Sequence, residues 1–195
     1  RDSVDGIEYT FALNHLGYFM LTGLLLDSLL QTAQESGDAR IINVASEAHR
    51  YKRHGIPFDD LQTTHHYNAM KAYSLSKLAN IMFTYALAKR LSHTSVTVNT
   101  LHPGFVRTSF TRNAHQIAHQ IFNWMSKLWA ISPEDGAKTS VYLATSDDVR
   151  NISGKYFIKC KPTDSNTTSY DEAQWQQLWD ISLKMTDIPD FPKTQ

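Results

Sequence analysis

Apolar positions along this chain fall into blocks whose period changes from helix to strand and back. From Val4 to Gln34, Phe11, Leu16, Phe19, Met20, Leu24 and Leu30 occupy nearly every face of a 3.6-residue period. That pattern predicts a long helix enclosed between other elements, ended by Ser36-Gly37-Asp38. Its most apolar run, Phe11 to Leu26, contains Asn14 and His15 and stops at Asp27. It is shorter than the roughly 20 apolar residues a bilayer demands, so a buried helix is expected. Arg40-Ile41-Ile42-Asn43-Val44-Ala45 is a branched run suited to a strand buried in a parallel sheet. It delivers Ser46 to the strand's C-terminal end, the edge at which ligands bind in open α/β sheets.

Residues 47–68 are poor in apolar positions and carry His49, His54, Gly55, Pro57, Asp59, Asp60, His65 and His66, which reads as a functional loop with about one turn of helix. A second helix is predicted from Asn68 to Leu91, with Leu78, Ile81, Met82, Tyr85, Leu87 and Leu91 as its apolar face. Val96 to Leu101 is a β-branched strand that runs into His102-Pro103-Gly104, where regular structure stops at the same sheet edge. Residues 110–130, with Ile117, Ile121, Phe122, Trp124, Met125, Leu128 and Trp129, read as an aromatic-rich helical segment suited to closing over a pocket. Ser132 and Pro133 open a helix to Thr145, Gly154 to Ile158 is a third strand, and Asp171 to Met185 a last helix. This order predicts one α/β domain with a parallel sheet.

Composition narrows the function. The 195 residues include 42% hydrophobic and 19% charged positions, a globular profile for a single domain. Lysine plus arginine equal aspartate plus glutamate at 19 each, so no broad basic field for nucleic acid exists. Cys160 stands alone, which rules out an intrachain disulfide and a cysteine-based zinc site. The sequons at Asn151 and Asn166 would matter only in a secreted protein. With no signal peptide legible, an intracellular protein is expected, cytoplasmic or membrane-associated.

The chemistry centres on Ala72-Tyr73-Ser74-Leu75-Ser76-Lys77-Leu78-Ala79-Asn80. Four residues separate Tyr73 from Lys77, about one turn, so both share a helix face. A phenol titrates near pH 10, and an adjacent cation is expected to lower that value enough for proton transfer with an alcohol or carbonyl oxygen. A Tyr-x-x-x-Lys pair is more often an aromatic ring resting on a lysine stem, so the weight rests on convergence. Ser46, Gly104, Tyr73 and Lys77 all fall near one sheet edge. Ser74-Leu75-Ser76-Lys77 also matches the Ser-x-x-Lys of serine acyl-enzymes, but Ser-Asp-Asn and Lys-Thr-Gly companions are absent from the sequence. His115 and His119 lie one turn apart with Gln116 where a zinc protease needs glutamate, so a helix face and no metal is expected.

Asp5-Gly6, Asn14-His15-Leu16-Gly17, Asn43-Val44-Ala45-Ser46, Ala72 to Asn80 and Leu101-His102-Pro103-Gly104, in this order and spacing, resemble the short-chain dehydrogenases/reductases and within them the retinol dehydrogenase-like branch. The resemblance spans nearly all of residues 1–195. It implies a Rossmann-like doubly wound sheet and an NAD(P)-dependent oxidoreductase that interconverts a hydrophobic alcohol and its aldehyde or ketone. Tyr73 is implied as the general acid/base, with Lys77 lowering its pKa and holding the nicotinamide ribose. Ser46 would position the substrate oxygen, and Asn14 would bend its helix and hold a relay water. Pro103, Gly104, Val106 and Thr108 are implied to line the NAD or NADP cofactor. The family's Thr-Gly-x-x-x-Gly-x-Gly turn and Asn-Ala-Gly segment do not occur in this sequence, so an N-terminally incomplete domain is expected, with membrane contact only through an upstream segment. The competing expectation is a catalytically silent module in which the two long helices pair in a homodimer.

Overall fold

We describe residues 2–104 and 131–192 of a computed structural model. The first helical stretch starts at Tyr9, not at Val4. Gly6 takes a left-handed φ of 72° and Ser3 closes a turn onto Ile7, while the Glu8 carboxylate caps the helix by accepting the Phe11 N–H at 2.7 Å. The stretch comprises α1 (Tyr9–Phe11), a π-helical turn (Ala12–Leu16) and α2 (Gly17–Ser36). Gly37, at φ 72°, ends it by donating to the Ala33 carbonyl.

Three parallel strands follow in spatial order, β1 (Ala39–Val44), β2 (Val96–His102) and β3 (Tyr156–Ile158), with β4 (Lys161–Pro162) antiparallel on the outer edge. Ala39 pairs with Val96 and Val44 with Leu101, so β1 and β2 end level and set Ser46 and Pro103 at one edge. β4 is absent from the sequence reading because the turn before it, Lys159-Cys160, lacks glycine and asparagine. Both residues nonetheless hold positive φ (50° and 61°), as a two-residue hairpin requires.

Helix α3 (Ala69–Arg90) is the centre of the molecule, with every residue from Ser74 to Leu87 buried. Asn68 caps it by accepting from Met70 N–H and Lys71 N–H. On its face of the sheet, Phe19 of α2, Phe83 and Leu87 of α3, and Trp179 of α5 (Glu172–Thr186) pack in one core with Val96 and Val98. On the opposite face, Leu143 of α4 (Pro133–Thr145) packs against Leu101 and Phe157. Helices on both faces of a mainly parallel sheet make the fold α/β, as the chain order implied, and doubly wound, as the resemblance implied.

One expectation needs correcting. α2 is not enclosed: Phe19, Thr22, Leu26 and Ala33 are buried, whereas Leu13, Met20, Leu21, Leu24 and Leu25 form an exposed stripe. These five side chains are between 41% and 64% exposed. The unbroken helical run Tyr9–Ser36, 28 residues at mean hydropathy 1.2, is longer than the apolar run read from sequence and is long and apolar enough to cross a membrane by length and composition. Its inner face is committed to α3 and the C-terminal segment. α3 is enclosed within its own chain, so of the two helices expected to pair between copies only α2 offers a bare apolar face.

Candidate active site

Ser46 leaves β1 in extended conformation and caps a 3-10 turn (Glu47–Tyr51), its oxygen accepting the Ala48 N–H at 3.2 Å. The hydroxyl proton is then free for another partner, and the Ser46 side chain acts on the Tyr73 phenol, lowering its pKa. The turn itself is tied down. His49 donates Nδ1–H to the Ser46 carbonyl at 2.6 Å, and its Nε2 accepts the Asn166 N–H at 3.0 Å. The Tyr156 hydroxyl of β3 donates to Glu47 at 2.8 Å. Burial pushes the Glu47 carboxyl up, but Tyr156 and Arg50 together hold it below its ordinary value. The loop before α3 is held by Gln174 of α5, whose Oε1 accepts the Ile56 N–H at 3.0 Å.

Tyr73 and Lys77 lie on the first turns of α3. The Tyr73 ring is half-buried, and burial raises its pKa above the usual phenol value, with the Ser46 side chain acting in the opposite direction. Lys77 is 7% exposed, and burial pushes its pKa down to about 8. Its Nζ donates to the Val44 carbonyl at 3.0 Å and stands 5.6 Å from the centroid of the Tyr73 ring. The expected lowering of the phenol by this lysine is therefore not what the arrangement does. Desolvation dominates both groups, and the cation's hydrogen bond goes to the strand.

Asn14 sits in the π-helical turn, and its Nδ2 donates to Ser76 Oγ at 3.1 Å. Ser76 in turn donates to the Tyr73 carbonyl at 2.8 Å. Pro103 and Gly104 follow β2 at the same edge, Gly104 at φ 92°, a conformation few other residues adopt. A Cβ there would also collide with the Ile131 side chain. The structure thus brings Asn14, Ser46, Tyr73, Lys77, Pro103 and Gly104 to one sheet edge; Val106 and Thr108 lie outside the described residues, as do His115, His119 and the aromatic segment.

Sequence reasoning assigned no role to three residues close to this site. His15, Asn80 and Ser182 are each fully buried, and His15 is hydrogen-bonded to both of the others. Their signal was present as polar residues on helical positions otherwise filled by apolar ones. At the tip of β2, His102 Nδ1 is buried without a hydrogen-bond partner among the described residues.

A mainly parallel sheet, helices on both faces and polar side chains gathered where β1 and β2 end define an α/β protein with its site at the open edge of the sheet. A family model described as Enoyl-(Acyl carrier protein) reductase matches residues 3–161, and the chain belongs to the short-chain dehydrogenase/reductase family. It is 46% identical over 186 residues to Retinol dehydrogenase 14 of Mus musculus, covering 94% of this chain and 54% of that one. It is 40% identical over 190 residues to Short-chain dehydrogenase TIC 32 B, chloroplastic, of Brassica napus, covering 95% and 59%. The crystal structure of an uncharacterized protein from Mycobacterium Paratuberculosis superposes with a TM-score of 0.71 at 28% identity, covering 97% of this chain and 62% of that one. The chain spans little more than half the length of the curated relatives it matches.

Proposed function

We propose that this chain carries the proton-transfer half of an NAD(P)-dependent oxidoreductase that interconverts a hydrophobic alcohol and its aldehyde or ketone, retinol dehydrogenase-like in substrate class. The observation that carries the reading is the gathering of Ser46, Tyr73 and Lys77 at the sheet edge, where the Ser46 side chain acts to lower the phenol and Lys77 Nζ stands 5.6 Å from its ring. Tyr73, protonated at neutral pH, is the acid for a carbonyl oxygen, and in the reverse direction its phenolate is the base that takes the alcohol proton. Ser46 binds the same oxygen through its hydroxyl. Asn14 steadies the first turn of α3 through Ser76.

The residues present fit the nicotinamide end of a dinucleotide. Lys77 has one hydrogen-bond partner among the described residues for three ammonium protons, leaving two for a ribose diol. Gly104 offers a backbone without a Cβ, and the family resemblance implies that Pro103, Val106 and Thr108 serve the same cofactor. When bound, NAD or NADP supplies the hydride. Retinol-named relatives and the aromatic residues Phe122, Trp124 and Trp129 support a lipophilic substrate. The exposed α2 stripe supports pairing with a second copy. An intracellular location, in the cytoplasm or on a membrane, accords with the sequence.

Fluorescence titration of the chain, and of a longer form carrying a glycine-rich turn, with NADH and NADPH tests this. Saturable binding and turnover abolished by Tyr73→Phe are expected. Full turnover in Tyr73→Phe would overturn the assignment.

A further inference from the structure

We propose that Ser182, His15 and Asn80 form one directed hydrogen-bond chain that fixes the Val44 carbonyl and through it the Lys77 ammonium, which makes them positioning residues and the C-terminal helix part of the frame of the site. The role of Lys77 in this statement rests on the proposed function.

The Val44 carbonyl accepts from two groups, Lys77 Nζ at 3.0 Å and Asn80 Nδ2 at 3.5 Å. Asn80 uses its amide nitrogen there, so its Oδ1 is the atom 3.4 Å from His15 Nδ1. An amide oxygen only accepts, hence Nδ1 carries the imidazole proton and Nε2 is bare. Ser182 Oγ lies 2.9 Å from that Nε2 and supplies its proton to it, although the Leu178 carbonyl at 2.7 Å competes for the same hydroxyl. Each group then has one consistent role, from Ser182 O–H to Nε2, Nδ1–H to Oδ1, and Nδ2–H to Val44.

His15, Asn80 and Ser182 are all 0% exposed, and they come from three elements. Apolar residues would fill that space without hydrogen-bonding needs, so three polar side chains there need a reason beyond packing. The π-helical turn supplies it. Consecutive residues Asn14 and His15 reach Ser76 and Asn80, four apart on α3, so one turn grips the helix on both sides of Lys77.

The test is ¹⁵N NMR of the 195-residue chain, reading the His15 ring nitrogens and the Lys77 ammonium. A neutral His15 protonated on Nδ1 is expected across neutral pH. Asn80→Asp should raise the midpoints of both His15 and Lys77 by about one unit, since one new carboxylate would face both. Ser182→Ala should speed exchange of the Lys77 ammonium protons several-fold, whereas Leu183→Ala, which loosens the same helix without touching the chain, should not. An Nε2-protonated His15, a Lys77 indifferent to Asn80→Asp and Ser182→Ala, or equal acceleration by Leu183→Ala overturns the proposal. If Asn80→Asp does not fold, the wild-type tautomer and the α5 pair decide alone. None of these signals requires cofactor, so failure to bind NADPH would count against the proposed function and leave them unchanged.

Discussion

Lys77 Nζ stands 5.6 Å from the centroid of the Tyr73 ring yet gives its hydrogen bond to the carbonyl of Val44. The pair therefore shares a helix face without the phenol drawing on the cation. Lys77 loses its proton at about pH 8, whereas burial lifts Tyr73 above the usual phenol range, so the ammonium is already neutral when the phenol titrates.

The first prediction concerns that phenol. Ser46→Ala removes the one group that lowers it and should raise the Tyr73 midpoint, while Lys77→Met should move it by less than about half a unit. Ultraviolet difference titration against Tyr73→Phe isolates the signal. A larger rise in Lys77→Met than in Ser46→Ala would restore the lysine to the role expected from sequence.

The second concerns alkaline stability. A lysine titrates near 10.4 when unfolded and at about 8 here, so between these values the unfolded chain binds more protons and stability should climb with pH. The span corresponds to roughly 3 kcal/mol. Tyr73, Tyr85 and Tyr156 are all raised by burial and reverse the trend above about pH 10, because there the folded chain binds more protons. Urea midpoints measured from neutral pH upward should show the climb in wild type and a flatter curve in Lys77→Met.

The third concerns the acid side. Burial pushes His15 down to about 4, with the Asn80 hydrogen bond opposing it. Between about 6.5 and 4 the unfolded imidazole binds the proton that the folded one refuses, so stability should fall as pH falls through that window. His49 and His102 are also lowered, chiefly by burial, and add to the loss. His15→Gln should be less stable at neutral pH but show a shallower decline, read from the slope of urea midpoint against pH.

Much of this was legible beforehand because it depends on local pattern. The strand at Val96 and the helix at Asn68 announce themselves by β-branching and by an apolar face, and the order of elements fixes which residues reach the sheet edge. Ser46, Tyr73 and Gly104 followed from that order. What escaped depends on three-dimensional accounting. The sign of the Tyr73 shift is a contest between desolvation and hydrogen bonding, which spacing alone cannot weigh. Which α2 face lies bare depends on neighbours that the pattern does not name. The His15–Asn80–Ser182 chain joins residues up to 167 apart in sequence, so no window contains it.

The last prediction concerns the C-terminal segment. Phe191 packs on Phe19 and Trp179 at ring separations of 4.8 and 4.7 Å, and Asp190 accepts the Trp179 Nε1–H at 2.8 Å. Arg90 covers the same indole at 4.1 Å. The segment reaches this place because α2 presents Gly23: a Cβ there would lie 2.8 Å from the Phe191 ring and 2.9 Å from the Ile188 Cδ1. On helix propensity alone Gly23→Ala should stabilise by about 1 kcal/mol, whereas overpacking against a pinned ring costs about 1 to 3 kcal/mol. The clash is expected to win because the Asp190 hydrogen bonds and the tilted ring contacts with Phe19 and Trp179 hold the ring in place, so Gly23→Ala should lower the urea midpoint and shift Trp179 fluorescence toward that of a solvated indole. Phe191→Leu relieves the contact, and in that background the same alanine should be neutral or stabilising, a sign change that a double-mutant cycle measures directly. Stabilisation by Gly23→Ala in the wild-type background would mean that the notch is not what seats the segment.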